Sequence, residues 1–263
     1  MAGAGHAGRP APRAGRVIVY GRNPVREALR GPRTVARVWA SDRAAREPWL
    51  REAGPRRADD AELESLCGSP DHQGVCAEVS EFEYAAAPSL LRDEDALVLC
   101  LDQVTDPRNL GAVCRVAETA GAAGVVIGER RSAQVTPVVC RASAGAVEHL
   151  PVARVRNLAD YLEDAKQEEA WVYGASTAAG AVPYDQPDYR GRVVLVLGSE
   201  GRGLRPRVAA ACDQLIAIPM RGRVGSLNVA AAAAVLVYGI LQFVRPGLTG
   251  FHKPGNLAPT DKA

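Results

Sequence analysis

The sequence predicts an α/β protein in which a mostly parallel sheet, in residues 96–244, follows a smaller α/β unit in residues 16–80. From residue 96 onward, short apolar segments alternate with helical segments, as in strands that are buried on both faces of a parallel sheet. Residues 81–95 mix acids, alanines and a proline, which indicates a linker. At 263 residues and 47% apolar composition, the chain can bury a core in each unit.

The small unit is predicted to hold three strands and three helical stretches. The strands are RVIVY (16–20), VARVWA (35–40) and GVCAEV (74–79). The segment NPVREALRG predicts a short helix with Asn23 as its cap, Pro24 at its first position and Gly31 at its exit. Further helices are predicted through Ala53 and from Asp60 to Cys67.

The large unit is predicted to contain five strands joined by helices. The strands fall at 96–101, 124–128, 171–175, 192–198 and 214–219, and the helices near 109–120, 157–168, 203–211 and 227–243. Residues 1–15 and the tail 245–263 are rich in Gly, Pro and polar residues and are predicted to be disordered.

Composition argues against several classes of protein. The first residues show no apolar core of a signal peptide, and the apolar run Val229–Leu241 is shorter than the roughly 20 residues that span a bilayer. The six cysteines are scattered without a C-x-x-C pair, which disfavours a zinc site or disulfides and favours a reducing cytoplasm. We therefore expect no metal, no membrane partner and a cytoplasmic location.

Charge is distributed unevenly although the net charge is only +2. Residues 1–57 hold 13 arginines and 4 acids, whereas residues 58–84 hold 8 acids and no base. This pattern fits either an arginine-rich composition, with 29 Arg and 3 Lys in the chain, or a surface that faces a polyanion. Charge alone does not separate the two readings.

Three polar loops each follow a predicted strand. The first, LDQVTDPRNLGAVCR, leads into a helix that carries Asn109 and Arg115. The second, VLVLGSEGRGLRPRV, places three glycines and Glu200 after an apolar strand, and the third, IPMRGRVGSLNVAAAA, offers Ser226 and Asn228 as helix caps. Each loop alone is also explained as a capped helix or a tight turn, but open α/β sheets bind ligands at this edge.

Nucleotide-binding signatures are absent or misplaced. GAGHAG (3–8) matches G-x-G-x-x-G but follows no strand and opens no helix, and no G-x-x-x-x-G-K-[ST] occurs. A nicotinamide-dependent enzyme is therefore a remote alternative.

The three loops, in this order, resemble the motifs of the SpoU (TrmH-like) branch of the SPOUT RNA methyltransferases. They read NLGAVCR (109–115), LGSEGRGL (197–204) and IPM…SLNV (218–229), and the resemblance extends over nearly the whole chain. One branch of this family methylates a guanosine in the P-loop of 23S ribosomal RNA; this P-loop is a loop of the RNA and not the protein motif named above. The segments most similar to that branch are YGRNPVREAL, HQGV (72–75) and ASAGAVEHLPVARV (142–155).

The resemblance implies methyl transfer from S-adenosylmethionine to a ribose 2′-hydroxyl. It implies a catalytic domain whose C-terminal segment forms a trefoil knot. The implied catalytic set is Asn109, Arg115, Glu200, Ser226 and Asn228. The implied cofactor-binding set is Leu197, Gly198, Ile218, Met220, Ser226 and Leu227.

The resemblance also implies partners. Residues 16–80 would form an RNA-binding domain resembling a ribosomal-protein fold, with Arg22, Arg26 and Arg30 on one helical face towards phosphates. The substrate would be 23S RNA or a precursor of the large ribosomal subunit. The catalytic domain would form a homodimer, in which Arg115 could act across the interface.

Arg115 is expected to bind phosphate and stabilise developing oxygen charge, because a guanidinium stays protonated in proteins and makes a poor base. His72 and His149 fall outside the three motifs and are expected to be structural or RNA-adjacent. Alternative functions are methylation of transfer RNA, an antibiotic-resistance methyltransferase of the same family, and an inactive RNA-binding or assembly factor.

Overall fold

The computed structural model describes residues 15–244, which form two sheets. The predictions made for residues 1–14 and 245–263 lie outside the described residues. The elements of the small domain are β1 (Arg16–Tyr20), α1 (Arg22–Arg30), β2 (Val35–Ala40), α2 (Pro48–Glu52), β3 (Arg56–Arg57), α3 (Asp60–Cys67) and β4 (Val75–Ser80). Its sheet has the order β1-β4-β2-β3, with β4 antiparallel to β1 and β2. The three predicted strands are confirmed.

Helix α1 begins two residues earlier than predicted, and the prediction of Asn23 as its cap is wrong. Gly21 precedes the helix with a φ of 95°, a conformation that glycine adopts without steric cost. Pro24 then lies in the first turn, where its missing N–H has no helical partner to lose. The predicted exit is confirmed, since the Gly31 N–H donates to the Glu27 carbonyl at 2.8 Å.

Residues 81–95 connect the two sheets as an ordered segment. A 3-10 helix spans Ala87–Leu91, and Leu90 and Leu91 are buried against the large sheet. Ala85 forms an isolated parallel bridge with Ala153. The apolar pair at 90–91 explains why a segment of linker-like composition packs onto the core.

The large domain is a seven-stranded sheet in which every described pairing is parallel, as predicted. Its strands are β5 (Leu97–Asp102), β6 (Gly124–Gly128), β7 (Val152–Val155), β8 (Trp171–Ala175), β9 (Val182–Pro183), β10 (Val193–Gly198) and β11 (Gln214–Ala217). Its helices are α4 (Pro107–Thr119), α5 (Pro137–Ala142), α6 (Leu158–Gln167), α7 (Pro206–Ala210) and α8 (Val229–Val244). The strand order is β7-β6-β5-β10-β8-β11-β9.

The sequence does not predict β7, β9 or α5, which are the short elements of this domain. Two further boundaries differ: α4 begins at Pro107, because Asp106 is its cap and accepts the Arg108 N–H at 2.8 Å. Helix α7 is confined to five residues, because Gly203 has a φ of 66° and cannot continue a helix. Among the described helices, none combines the length and the hydropathy needed to cross a membrane.

Alternate residues of the central strands face two helical layers. Leu99 and Leu195 pack with α4 and α8, whereas Cys100 and Val196 pack with α6 and α7 on the opposite face. The first of these layers is continuous with buried residues of the small domain, such as Val25 of α1. The two domains therefore share one core on that face of the sheet.

Candidate active site

The three polar loops of the large domain lie at one edge of its sheet. They follow β5, β10 and β11, and β5 and β10 are direct neighbours. Because parallel strands end at the same edge, residues distant in sequence meet there, and this edge is where open α/β sheets bind ligands.

Asn109, Glu200 and Asn228, one from each loop, form a hydrogen-bonded cluster. The Asn109 amide donates to a Glu200 carboxylate oxygen at 3.1 Å, and the Asn228 amide donates to Asn109 Oδ1 at 3.0 Å and to the same Glu200 oxygen. The sequence separations are 91, 119 and 28 residues. One carboxylate therefore holds the first turn of α4 and the entrance to α8 together.

Asn228 has a second contact that explains its position at the start of an alanine-rich helix. Its Oδ1 accepts the backbone N–H of Ala230 at 2.9 Å, so it caps α8 while its amide nitrogen joins the cluster. Of the two predicted candidates for the cap, Asn228 and not Ser226 is the one observed.

The loop after β10 is a tight, glycine-dependent turn. A Cβ at Gly198 would lie 2.3 Å from the carbonyl carbon of Gly203, and Gly201 and Gly203 have φ angles of 77° and 66°. The Gly203 N–H donates to the Ser199 carbonyl at 2.9 Å. The glycines thus allow two stretches of backbone to approach closely and leave the Glu200 side chain at the tip.

An ion pair between a buried carboxylate and a half-exposed arginine, which the sequence did not indicate, ties this loop to β5. Asp102 is 1% exposed at the end of β5, and its carboxylate accepts Arg205 Nε at 2.7 Å and the Arg205 backbone N–H at 2.8 Å. The contact spans 103 residues. Only the adjacency of β5 and β10, which local patterns do not reveal, could have predicted it.

A cavity of about 520 Å³ lies between the carboxyl ends of β8, β10 and β11 and helix α8. All six residues predicted to bind the cofactor line it: Leu197, Gly198, Ile218, Met220, Ser226 and Leu227. The sequence analysis missed the loop after β8, residues 175–178, which also lines it. The polar pair Ser176 and Thr177, directly after an apolar strand, was the available signal.

The cavity is partly apolar and bordered by backbone that has no hydrogen-bond partner among residues 15–244. Among the described residues, the backbone of 219–227 forms no hydrogen bond. Leu236 and Ile218 supply apolar walls. A volume of this size and lining suits a small organic ligand with both apolar and polar parts.

Arg115 does not join the cluster formed by the other motif residues. It is exposed, its guanidinium has no hydrogen bond or ion pair within residues 15–244, and it does not line the cavity. Six residues of α-helix separate it from Asn109, which rotates it by about 120° around α4. It shares its face of α4 with Thr119, whose hydroxyl lies 3.5 Å from Tyr238 Oη on α8. Arg115 therefore points away from this chain's own cavity.

Ionisable residues outside the cluster are engaged elsewhere. His72 is buried in the small domain, where its Nδ1 accepts the Gly74 N–H at 3.0 Å, and His149 lies 3.0 Å from Glu27. Burial raises the pKa of the Cys114 thiol, between Asn109 and Arg115 on α4, to about 12. Cys114 is therefore neutral at pH 7 and unsuited to nucleophilic chemistry. In the described part of the chain, no group of three His, Cys, Asp or Glu could hold a metal ion.

The three arginines predicted to contact RNA make ion pairs within the small domain. Arg22 pairs with Glu47, and Arg26 and Arg30 approach Glu27 at 3.0 and 3.4 Å. All three keep part of their side chains exposed. Their charges are thus partly balanced before any ligand binds.

Two protein families match consecutive parts of the chain. Residues 96–238 match the SpoU rRNA methylase family, and residues 18–85 match the family described as RNA 2′-O ribose methyltransferase substrate binding. The boundary between the two matches falls in the segment that joins the two sheets.

Curated relatives and a solved structure extend this similarity. The Bacillus subtilis protein YacO, whose name assigns it to the TrmH family of tRNA/rRNA methyltransferases, is 36% identical over 87% of this chain and 96% of its own length. An uncharacterized tRNA/rRNA methyltransferase of Synechocystis is 36% identical over 88% of this chain, which spans only 65% of that protein. The crystal structure of the SpoU methyltransferase AviRb from Streptomyces viridochromogenes, in complex with AdoMet, has a TM-score of 0.74 at 26% identity and covers 88% of this chain and 91% of AviRb.

Proposed function

This chain belongs to the SpoU family of RNA 2′-O-ribose methyltransferases, and we propose that it methylates a guanosine in the P-loop of 23S ribosomal RNA. The observation that supports this activity most directly is the Asn109–Glu200–Asn228 cluster beside the cavity at the carboxyl edge of the sheet. The choice of 23S RNA rests on the likeness of the segments YGRNPVREAL, HQGV and ASAGAVEHLPVARV to that branch.

The cavity fits S-adenosylmethionine, the cofactor of this family. When bound, the cofactor would supply a sulfonium methyl group for in-line attack by a ribose 2′-oxygen. The new oxygen–carbon bond would form as the sulfur–carbon bond breaks, with S-adenosylhomocysteine as the leaving group. The unpartnered backbone of 219–227 would hold the polar edge of the adenine, and Leu197, Ile218 and Leu227 would enclose its apolar faces. Met220 and Ser226 would close the open side.

The cluster itself is assigned a positioning role. Glu200 Oε1 already accepts hydrogen bonds from the side-chain amides of Asn109 and Asn228. This oxygen therefore serves to hold the two loops together. Fixing the loops keeps the cavity shaped for an in-line approach, and such positioning can contribute about 7 kcal/mol or more to catalysis.

Arg115 is assigned to the RNA side of the reaction. Its permanent charge would bind the phosphate next to the target ribose and stabilise the negative charge that develops on the 2′-oxygen. The hydroxyl proton passes to that phosphate or to water as the oxygen–carbon bond forms.

The exposed position of Arg115 favours a homodimer with shared sites. Val235 and Tyr238 of α8 are 39% and 49% exposed, and Tyr238 borders the face of α4 that carries Arg115. A second copy that covers this apolar face would bring Arg115 to the partner's cavity. The trefoil knot also stays a prediction, supported by the packing of α8 on both α4 and β10. We assign the enzyme to the cytoplasm, where its RNA substrate is found.

Methyl transfer from labelled S-adenosylmethionine to unmodified 23S RNA fragments and to bulk transfer RNA tests the proposal. We expect label on a single ribose 2′-oxygen of the 23S P-loop. Label on transfer RNA alone would keep the chemistry and overturn the target. Cofactor binding without label on either RNA, or on isolated large-subunit precursors, would favour an inactive binding factor.

A further inference from the structure

Arg141, which the proposed reaction does not use, lies at the contact between the two domains. It occupies the last turn of α5 in the large domain and lies against Gly21 of the small domain. A Cβ at Gly21 would lie 3.0 Å from Arg141 Cδ, 3.2 Å from its Nε and 3.4 Å from Gln73 Oε1. The stem of Arg141 therefore packs directly on the small domain, next to the start of α1.

On its other side, the end of α5 packs against the first turns of α4. A Cβ at Gly111 would lie 2.6 Å from Ala142 Cβ and 3.0 Å from the backbone nitrogen of Ser143. Arg115 follows Gly111 by four residues, so it lies on the same face of α4, roughly 6 Å further along the axis. The end of α5 thus lies between the small domain and the side of α4 that carries Arg115.

The guanidinium of Arg141 lacks the carboxylate partner that Arg22 and Arg33 have. Its Nε is buried without a hydrogen bond, and no ion pair to it exists among residues 15–244. By contrast, Arg22 pairs with Glu47, and Arg33 forms a buried ion pair with Glu148. A half-buried cation without an acceptor is costly unless a ligand supplies an anion.

We propose that Arg141 binds a backbone phosphate of the substrate RNA where the strand passes from the small domain to Arg115. The inference rests on the proposed function, since RNA must contact both domains in one complex. A guanidinium presents a planar fork that matches phosphate oxygens. Neither Arg141 nor Arg115 has its charge balanced by a carboxylate within the described residues, in contrast to Arg22, Arg26 and Arg30 of the small domain.

The test compares Arg141→Gln with Arg141→Lys. Lysine keeps a methylene at the Cδ position that packs on Gly21 and also keeps the charge, whereas glutamine places a neutral amide there. Arg190→Gln is the matched control, because Arg190 is exposed in the loop before β10, at the opposite edge of the sheet. Binding of a fluorescent 23S RNA fragment is measured over a range of salt concentrations, beside S-adenosylmethionine affinity, thermal unfolding and methyl transfer.

We expect Arg141→Gln to weaken RNA binding about tenfold and to reduce the slope of log affinity against log salt by about one phosphate contact. Arg141→Lys should keep the wild-type salt slope, because lysine also neutralises one phosphate, and should lose no more than about threefold in affinity through loss of the planar fork. Arg190→Gln should match the wild type, with cofactor affinity unchanged throughout. Equal behaviour of the Gln and Lys variants, or an unchanged salt slope in Arg141→Gln, would overturn the inference.

The same measurements distinguish failure of the proposed function from failure of the Arg141 contact. If the wild type binds RNA with a salt slope that Arg141→Gln reduces, but transfers no methyl group, the phosphate contact stands and the catalytic assignment falls. If the wild type methylates RNA and Arg141→Gln is indistinguishable from it, only the phosphate contact is lost.

Discussion

At the scale of single residues, Arg115 lies apart from the cluster of Asn109, Glu200 and Asn228, so the four residues cannot all act on the same group. The three partnered residues set the geometry of the cavity entrance, whereas Arg115 is exposed on the face of α4 that borders Tyr238. Under the proposed function, positioning and charge stabilisation fall to different side chains, and variants of each should fail in different ways.

Arg115→Ala should reduce methyl transfer by about a hundredfold or more, because it removes a charge that interacts with the transition state. The affinity for S-adenosylmethionine should stay within about twofold, since Arg115 does not line the cavity. Single-turnover rates and calorimetric titration of the cofactor measure the two effects. A large loss of cofactor binding would contradict the assignment.

At the scale of elements, Asn228 links a helix to the active-site cluster. As the cap of α8 it stabilises the fold, and as a donor to Glu200 and Asn109 it orients two loops. An alanine substitution removes both roles together, so it cannot distinguish them.

Asn228→Ser separates the two roles, because serine caps a helix about as well as asparagine but lacks an amide donor. We expect Asn228→Ser to keep the wild-type unfolding free energy within about 0.5 kcal/mol. Asn228→Ala should lose about 1 kcal/mol. Both variants should lose activity, as measured by urea unfolding and methyl-transfer assays. Full activity in the serine variant would show that the amide contacts are dispensable.

At the scale of the whole molecule, a buried ion pair fixes the small domain on the large one. Arg33 is 8% exposed and Glu148 3% exposed, and Arg33 Nε donates to Glu148 Oε2 at 2.8 Å. Gly31 allows this approach, since a Cβ there would lie 3.1 Å from Glu148 Cβ. With the shared core, this contact makes the relative position of the two domains part of the fold.

Arg33→Met should lower the free energy of unfolding by about 3 kcal/mol, because it leaves the Glu148 carboxylate buried without its partner. The double variant Arg33→Met/Glu148→Leu should recover most of that loss, since an apolar pair can replace a buried ion pair. Chemical unfolding followed by tryptophan fluorescence measures both. As a control, Glu163→Gln breaks an exposed pair with Lys166 and should cost under about 0.5 kcal/mol. Equal losses in the single and double variants would refute the role of the pair.

Local patterns in the sequence were enough for the class of fold and for the three loops that meet at one edge of the sheet. Apolar strands and glycine-rich loops depend on neighbouring residues, so they identified the parallel sheet and the three loops that contain Asn109, Glu200 and Asn228. The same patterns failed for the short elements β7, β9 and α5, because a segment of two to six residues carries too little periodicity.

What the sequence alone determined about this protein is thus its family, its sheet and the residues brought to one edge of that sheet. Only the tertiary structure decided that β10 lies between β5 and β8, which pairs Asp102 with Arg205 and closes the cavity with the loop after β8. It also decided which arginines are balanced by carboxylates and which, like Arg115 and Arg141, lack such a partner within the described residues. The Asp102–Arg205 and Arg33–Glu148 ion pairs join residues 103 and 115 positions apart, and no local preference of the chain encodes such contacts or the order of the strands.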